Sequence, residues 1–305
     1  MTAPEPPAAL QPATAPTHPR RLVYLGTPAM AVPPLVALHE AGFDIALVVT
    51  RVDKRRGRGS ATSPSPVKAA ALDLGLDVGH DLAAATEVDA DLGVVVAYGR
   101  IIPIEVLAAL PMVNIHFSLL PRWRGAAPVE RALLAGDPTT GVCLMEVAEG
   151  LDTGDVYATR EVPITDDDDL DTLRRRLVEV GSSMLVSELT AGLATPVAQE
   201  GEPVYAAKLT TDDMALDVER PAAELARIVR LGRAWTMFRG RRLKVLAADV
   251  IDERTTAAPG SLDGVRVSTG DGLLELVTVQ PEGKKTMAAR DWINGVRPES
   301  GERLG

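Results

Sequence analysis

Leu92-Gly93-Val94-Val95-Val96-Ala97 is an unbroken apolar run that stops at Tyr98-Gly99-Arg100. A run with no polar face suits a strand covered on both sides, as a central strand of a parallel sheet is. Upstream, Arg21-Leu22-Val23-Tyr24-Leu25 is a second such run. It breaks at Gly26-Thr27-Pro28 into a helical pattern lasting to about residue 40, and residues 45–50 read as another buried strand. Strand, turn, helix, strand opens a doubly wound sheet. Downstream, helices are expected at 67–74, 103–110, 126–135 and 170–193, and strands at 112–117, 142–147 and 156–164. Pro128 falls early in its helix, where proline is tolerated. The turn after the first strand lacks G-x-G-x-x-G, so the dinucleotide fingerprint is absent.

Beyond residue 194 the pattern breaks into a Pro- and Gly-containing linker. A helix at 222–229 precedes short strands at 242–250, 262–268 and 273–279, which suggests a small β-barrel. The chain has 305 residues, enough for two domains, and 46% apolar residues, enough for a sizeable core. One cysteine, Cys143, excludes an intramolecular disulfide framework and any multi-Cys metal site. That usage permits a reducing compartment. No run of 18 apolar residues is present, so no membrane span is expected. Residues 1–20 hold six prolines and no apolar h-region, and read as a disordered tail, not a secretory signal.

The net charge is −10, but residues 227–244 carry Arg227, Arg230, Arg233, Arg239, Arg241, Arg242 and Lys244 with no acid. A basic stripe on an acidic chain suggests a polyanionic partner at that end. Residues 51–59, RVDKRRGRG, form a second basic segment after a strand's carboxyl end, where α/β proteins place ligands. A solvated surface loop explains that composition equally well. Asp166 to Asp169 directly precede a long helix, and acids there are favoured by the helix dipole.

The chemistry concentrates in Asn114-Ile115-His116-Phe117-Ser118-Leu119-Leu120-Pro121 and, further on, Gly150-Leu151-Asp152-Thr153-Gly154-Asp155. Asn114 and His116 are two apart and leave a strand from the same face. Asp152 sits in a loop between two glycines. Amide, imidazole and carboxylate together can run acyl transfer without a metal. The four histidines, His18, His39, His80 and His116, offer no metal-ligand spacing. On residue type alone, a hydrogen-bonded structural histidine is the favoured reading of His116, and a turn residue and a loop cap are alternatives for Asn114 and Asp152.

These stretches resemble the folate-dependent formyltransferase superfamily, and more closely its branch that formylates methionyl-tRNA. The resemblance rests on Asn114-x-His116 with Ser118 to Pro121 and Asp152, on Gly26-Thr27-Pro28 with Val32-Pro33-Pro34, and on residues 57–59 with Pro64-Ser65-Pro66-Val67-Lys68. It continues through Val95 to Gly99, Pro121-Arg122-Trp123-Arg124-Gly125-Ala126-Ala127-Pro128, Glu149 to Asp155, Pro281-Glu282-Gly283-Lys284-Lys285 and Asn294-Gly295. It covers about residues 21–305. It implies an α/β fold: a Rossmann-like, mostly parallel sheet with helices on both faces, followed by a smaller C-terminal OB-like β-barrel domain. The expected division is a tail at 1–20, a catalytic domain at 21–196, a linker at 197–213 and a tRNA-binding domain at 214–305.

The resemblance further implies 10-formyltetrahydrofolate as donor and initiator methionyl-tRNA as acceptor, with no metal, in a cytoplasmic monomer. Asn114, His116 and Asp152 are then the catalytic trio. Ser118, Leu119, Leu120 and Pro121, with Val96, Ala97 and Tyr98, are the folate contacts. Arg51, Lys54, Arg55, Arg56 and Arg58, with Arg233, Arg239, Arg241, Arg242 and Lys244, are the tRNA contacts. In that chemistry the Asn114 amide and a protonated His116 would donate to a developing oxyanion. Asp152 would stabilise the positive ring and accept the amine's proton through a water. Arg122 and Trp123 suit a packing role as well as a substrate role. Formylation of an amino-sugar nucleotide would keep the trio but would leave the basic segments and the barrel unexplained. A non-catalytic RNA-binding protein would not need the trio.

Overall fold

The computed structural model describes residues 10–55, 62–299 and 301–305. It divides into two compact units. The first runs up to Pro128 and adds Thr139–Pro163 and Arg174–Ala206; the second comprises Val129–Pro138, Ile164–Leu173 and Ala207–Gly305.

In chain order the elements are β1 (Arg21–Gly26), α1 (Val32–Glu40), β2 (Asp44–Val49), β3 (Lys54–Arg55), β4 (Thr62–Ser63), α2 (Pro66–Asp73), β5 (Val78–Gly79), α3 (Ala84–Glu87), β6 (Leu92–Val96), α4 (Ile104–Ala109), β7 (Met112–His116) and β8 (Arg122–Gly125). They continue with α5 (Pro128–Ala135), β9 (Thr139–Glu146), β10 (Val156–Pro163), α6 (Leu170–Ala191) and β11 (Val204–Ala206). The main sheet of the first unit has seven strands in the order β10-β9-β7-β6-β1-β2-β5. The pairs β2–β5, β1–β2, β1–β6 and β6–β7 are parallel, whereas β9 runs antiparallel to β7 and β10 antiparallel to β9.

Burial explains the apolar runs. All of β6 and all of β1 after Arg21 are buried. Side chains alternate across the sheet. Val23 and Leu25 pack with Leu82, Ala85 and Leu107 on the α3–α4 side. Tyr24 faces the other way, and its hydroxyl donates to the Ala31 carbonyl at 2.5 Å, just before α1. The sheet order reverses between β1 and β6, so their carboxyl ends open the crevice where such sheets bind ligands. On β7, Ile115 packs against Gly181 of α6, which places Asn114 and His116 on the opposite face.

Local chemistry sets the helix starts. Ser65 Oγ accepts from the Lys68 amide at 3.0 Å with Pro66 as first residue of α2. The acid run works as a cap: Asp169 Oδ1 accepts from the Thr172 amide at 2.7 Å, and Asp168 Oδ2 accepts from the Thr165 amide at 2.8 Å. Among the described residues no group of three His, Cys, Asp or Glu is arranged to hold a metal, and no helix is long and apolar enough to cross a membrane. In the stretch expected as tail, the Ala13 amide donates to the Leu107 carbonyl and the Thr17 carbonyl accepts from the Leu193 amide, both at 2.8 Å.

The second unit continues with α7 (Ala222–Val229), β12 (Trp235–Phe238), β13 (Arg241–Ile251), β14 (Leu262–Asp263), β15 (Arg266–Ser268), β16 (Leu273–Pro281), β17 (Met287–Ala288) and α8 (Ala289–Val296). The strands form one antiparallel sheet, β12-β13-β16-β15-β14, with β17 also on β16. Register shifts at Val245/Ala247 and Ala247/Ala248 bend β13, the means by which a sheet curls into a barrel-like form. Leu225, Ile228, Val245, Val279 and Trp292 fill the core, where Phe238 and Trp292 meet edge to face at 5.1 Å.

Several expectations are corrected. Residues 262–268 are two strands, β14 and β15, because Gly264 turns the chain at φ +56°. Residues 289–296 are helical, since Ala289, Trp292, Ile293 and Val296 follow a helical period onto the core. β12 arises inside the basic stripe, with Thr236 and Phe238 buried alternately. β8 and β11 pair with each other in the first unit, so part of the stretch expected as linker is strand.

Gly141 offers a test of how tightly the first unit is built. A Cβ there would collide with the Arg160 carbonyl and the Leu119 side chain, whereas one at Gly295, inside α8, meets nothing within 4 Å. Gly141→Ala should cost about 1–3 kcal/mol in urea unfolding, and Gly295→Ala should stabilise by up to about 1 kcal/mol. Equal effects would contradict this packing.

Candidate active site

Three segments at one end of the first unit's sheet converge on His116. β7 ends at His116, whose side chain is buried. The chain then turns through Ser118 to Pro121, with a cis Leu120–Pro121 peptide, into β8. Trp123 of β8 has φ +66° and turns its carbonyl to His116 Nε2 at 2.9 Å. A carbonyl can only accept, so Nε2 carries a hydrogen. That leaves Nδ1 facing Asp152 Oδ2 at 3.6 Å. The same carboxylate oxygen accepts the Gly125 amide at 2.8 Å.

Asp152 itself has φ +52°, in the left-handed region. Such a conformation costs a non-glycine residue about 1–2 kcal/mol and persists where surroundings hold it. Among the described non-glycine residues five have positive φ, and three of them, Ala97, Trp123 and Asp152, lie at this end of the sheet. Asn114 is half-buried, two residues before His116 on the same face, and pairs with Val95 and Met145. Cys143 pairs with His116 across β7 and β9. Burial pushes its thiol up, so it stays neutral beside the ring.

Asn114, His116 and Asp152 are therefore brought together. Ser118 is fully buried, and its hydroxyl donates inward to the Arg122 carbonyl at 2.6 Å. Leu119 packs on Gly141. Leu120 and Pro121 are half-buried. Val96 and Tyr98 are buried, Tyr98 in the core with Ile102 and Leu107, and Ala97 between them has φ +46°. The strand ladder ends at Gly26–Val96 and Val95–Asn114, so the chain leaves the sheet at residue 97.

The basic segments are less uniform. Arg51 Nη2 donates to the Gly99 carbonyl at 2.8 Å. Arg56, Arg58 and the side chains of Lys54 and Arg55 lie outside the described residues. In the second unit Arg233, Arg241, Arg242 and Lys244 are exposed. Arg242 stacks on Trp235 with its guanidinium carbon 4.0 Å from the ring centroid. Arg239 is held by Glu302 in two bonds of 2.7 and 2.6 Å, and Arg239 keeps the Glu302 carboxyl low, at about 2. Arg227 and Arg230 donate to the carbonyls of Leu134 and Asp168.

Sequence reading missed the groups that fix the trio: the Trp123 carbonyl, the Gly125 amide and Gln199. The first two are backbone atoms, which residue type does not reveal. For Gln199 no signal in the sequence pointed to the site.

Residues 20–189 match the formyl transferase family, and residues 208–297 match the formyl transferase C-terminal domain. The chain belongs to the formyl transferase family. A methionyl-tRNA formyltransferase of Roseiflexus sp. (strain RS-1) is 43% identical over 311 residues, covering 94% of this formyl transferase and 96% of the relative. HypX from Aquifex aeolicus, solved with tetrahydrofolic acid, has a TM-score of 0.64 at 20% identity over 93% of this chain and 48% of its own, so this formyl transferase spans about half of HypX. The N-formyltransferase from Helicobacter canadensis, solved with folinic acid and dTDP-3-aminofucose, has a TM-score of 0.66 at 16% identity over 86% of this chain and 99% of its own. These two structures share the fold.

The tautomer is open to direct measurement. Nitrogen chemical shifts of the His116 ring should show the neutral form protonated at Nε2. A neutral ring protonated at Nδ1 would contradict the Trp123 contact.

Proposed function

We propose that this formyl transferase moves the formyl group of 10-formyltetrahydrofolate to the free amino group of methionyl-initiator-tRNA, giving N-formylmethionyl-tRNA for translation initiation. The observation that carries the reading is 43% identity to a methionyl-tRNA formyltransferase across nearly the whole of both chains, barrel-like unit included. The meeting of Asn114, His116 and Asp152 supports the chemistry. The proposed setting is a cytoplasmic monomer with no metal, and the proposed working division is 21–196 for catalysis and 214–305 for tRNA, joined through 197–213.

The crevice suits a flat, polar heterocycle such as a folate ring. Thr27 Oγ1, just past the end of β1, is shielded from solvent and has no hydrogen-bond partner. The residue before it, Gly26, pairs with Val96 at the end of β6. Val96, Ala97 and Tyr98 would meet the heterocycle through main-chain atoms. Ser118 to Pro121 would shape the floor, with the Ser118 hydroxyl bracing the turn from inside.

The bound folate supplies the formyl carbon as electrophile. Asn114 donates an amide N–H to the formyl oxygen as negative charge develops there. His116, with Nε2 pinned to the Trp123 carbonyl, turns Nδ1 to the site, and when protonated there adds a second donor. Asp152, its carboxylate fixed by the Gly125 amide, stabilises that positive ring and accepts the amine's proton by way of a water. With folate bound, a His116 ring protonated at Nδ1 would be the group able to return a proton to the leaving nitrogen.

For tRNA, Arg242 and Lys244 project from one face of β13, opposite Met237 and Trp235 of β12. Exposed cations beside an aromatic ring suit a phosphate backbone. Arg233, Arg241 and the 51–58 segment add charge. Arg239, which lies in the same basic stripe, is occupied by Glu302.

Purified protein should formylate charged initiator tRNA with 10-formyltetrahydrofolate as donor. Asn114→Ala should lower kcat by about 10²–10³-fold, and His116→Ala or Asp152→Asn by about 10²–10⁴-fold. Product on an amino-sugar nucleotide and none on methionyl-tRNA would overturn the acceptor assignment. Separately, Arg242→Ala and Lys244→Ala should each reduce the salt slope of tRNA binding by about 1, and Arg239→Ala by less. Equal slopes for all three would contradict the occupied state of Arg239.

A further inference from the structure

The side-chain amide of Gln199 is used at every position. Its Nε2 donates to the Asp152 carbonyl at 2.9 Å and to the Gly154 carbonyl at 2.8 Å. Its Oε1 accepts from Arg124 Nε at 3.0 Å and from Arg124 Nη2 at 2.7 Å. A primary amide has two N–H donors and two lone pairs, so all four are taken. The segments it joins are the two that act on His116. One is the loop that presents Asp152. The other is β8, which supplies the Trp123 carbonyl and the Gly125 amide.

The Asp152 backbone needs holding, because its φ of +52° is a region that a residue with a side chain leaves unless its surroundings fix it. Two contacts do so. The Gly125 amide takes the carboxylate, and Gln199 takes the carbonyl. Gln199 is itself anchored on both sides. The Val156 and Val197 amides each donate to the other's carbonyl, at 2.8 and 2.9 Å, and the Val204 amide donates to the Pro121 carbonyl at 3.2 Å. The short span carrying Gln199 is thus fastened to β10 at one end and to the turn before β8 at the other.

From this geometry we infer that Gln199 is a positioning residue for formyl transfer. It holds the Asp152 backbone in its left-handed turn and clamps that turn to β8, so that Asp152 Oδ2 faces His116 Nδ1. The inference rests on the assignment of Asp152 to catalysis and deepens it. Gln199 acts through Asp152 and touches no reacting atom. The carboxamide is the required group. A glutamate in its place keeps acceptors for Arg124 but has no hydrogen for the two carbonyls, and sets negative charge against them.

The test compares the full-length protein with Gln199→Glu, Gln199→Ala, Asp152→Asn and the double variant Asp152→Asn/Gln199→Ala, in steady-state assays with 10-formyltetrahydrofolate and methionyl-tRNA. Gln199→Glu, of unchanged size, serves if Gln199→Ala does not fold. It should lower kcat by about 10–100-fold, the scale of a displaced catalytic group. KM for both substrates should stay within about twofold, since ground-state contacts are untouched. Its pH–kcat profile should move toward that of Asp152→Asn. In the Asp152→Asn background Gln199→Ala should cost less than about twofold, because residues acting through one another are non-additive. Effects that multiply in the double variant, or a lowered Tm with unchanged kcat, would overturn the inference. Full activity in Asp152→Asn would instead remove the catalytic assignment beneath it.

Discussion

One carboxylate oxygen ties the site together. Asp152 Oδ2 takes the Gly125 amide at 2.8 Å and faces His116 Nδ1 at 3.6 Å, linking a loop after β9, strand β8 and the end of β7. The His116 ring is buried, and both its nitrogens face protein acceptors. Leaving a buried polar group without its partner costs about 1–3 kcal/mol. The histidine therefore keeps this orientation only while β8 holds the Trp123 carbonyl against Nε2.

That constraint accounts for the unusual backbone around it. Trp123 and Asp152 both occupy the left-handed region, and in both cases the turn aims a group at His116, a carbonyl in one and a carboxylate in the other. Strain of this kind is tolerated where the surroundings over-determine the conformation. Here the surroundings are the β8–β11 pairing, the Val156–Val197 bridge and the Gln199 amide. The sheet beneath is stiff because its central strands are buried on both faces. Asn114 and His116 stand on it with α6 packed against the reverse side through Gly181.

The second unit solves a different problem. It carries exposed cations over a small core. It does so on β13, where Leu243 and Val245 point inward and Arg242 and Lys244 point outward. Not every arginine of the stripe serves the surface. Arg227 and Arg230 spend their donors on backbone carbonyls, and Arg239 on a carboxylate. Counting charge in a sequence window therefore overstates the charge available to a partner.

The sequence by itself determined the α/β class. A strand covered on both faces is apolar along its length, and the short runs at β1 and β6, each ended by a glycine-containing turn, carry that pattern. It also determined the chemistry on offer, since Asn114 and His116 share a face by the two-residue period of a strand. Helix α8 was legible in its spacing at 289, 292, 293 and 296 but was hidden among strand signals. Tertiary structure alone decided the rest. Which ring nitrogen of His116 carries hydrogen depends on the Trp123 carbonyl, and the seat of Asp152 depends on the Gly125 amide. Backbone groups are the same at every residue, so no sequence marks which of them will be used. The fate of Arg239 turns on Glu302, 63 positions away, and the role of Gln199 on Asp152, 47 positions away. Such pairings exist only once the chain has closed, because the fold chooses the partner and the residue type sets only what it can bond.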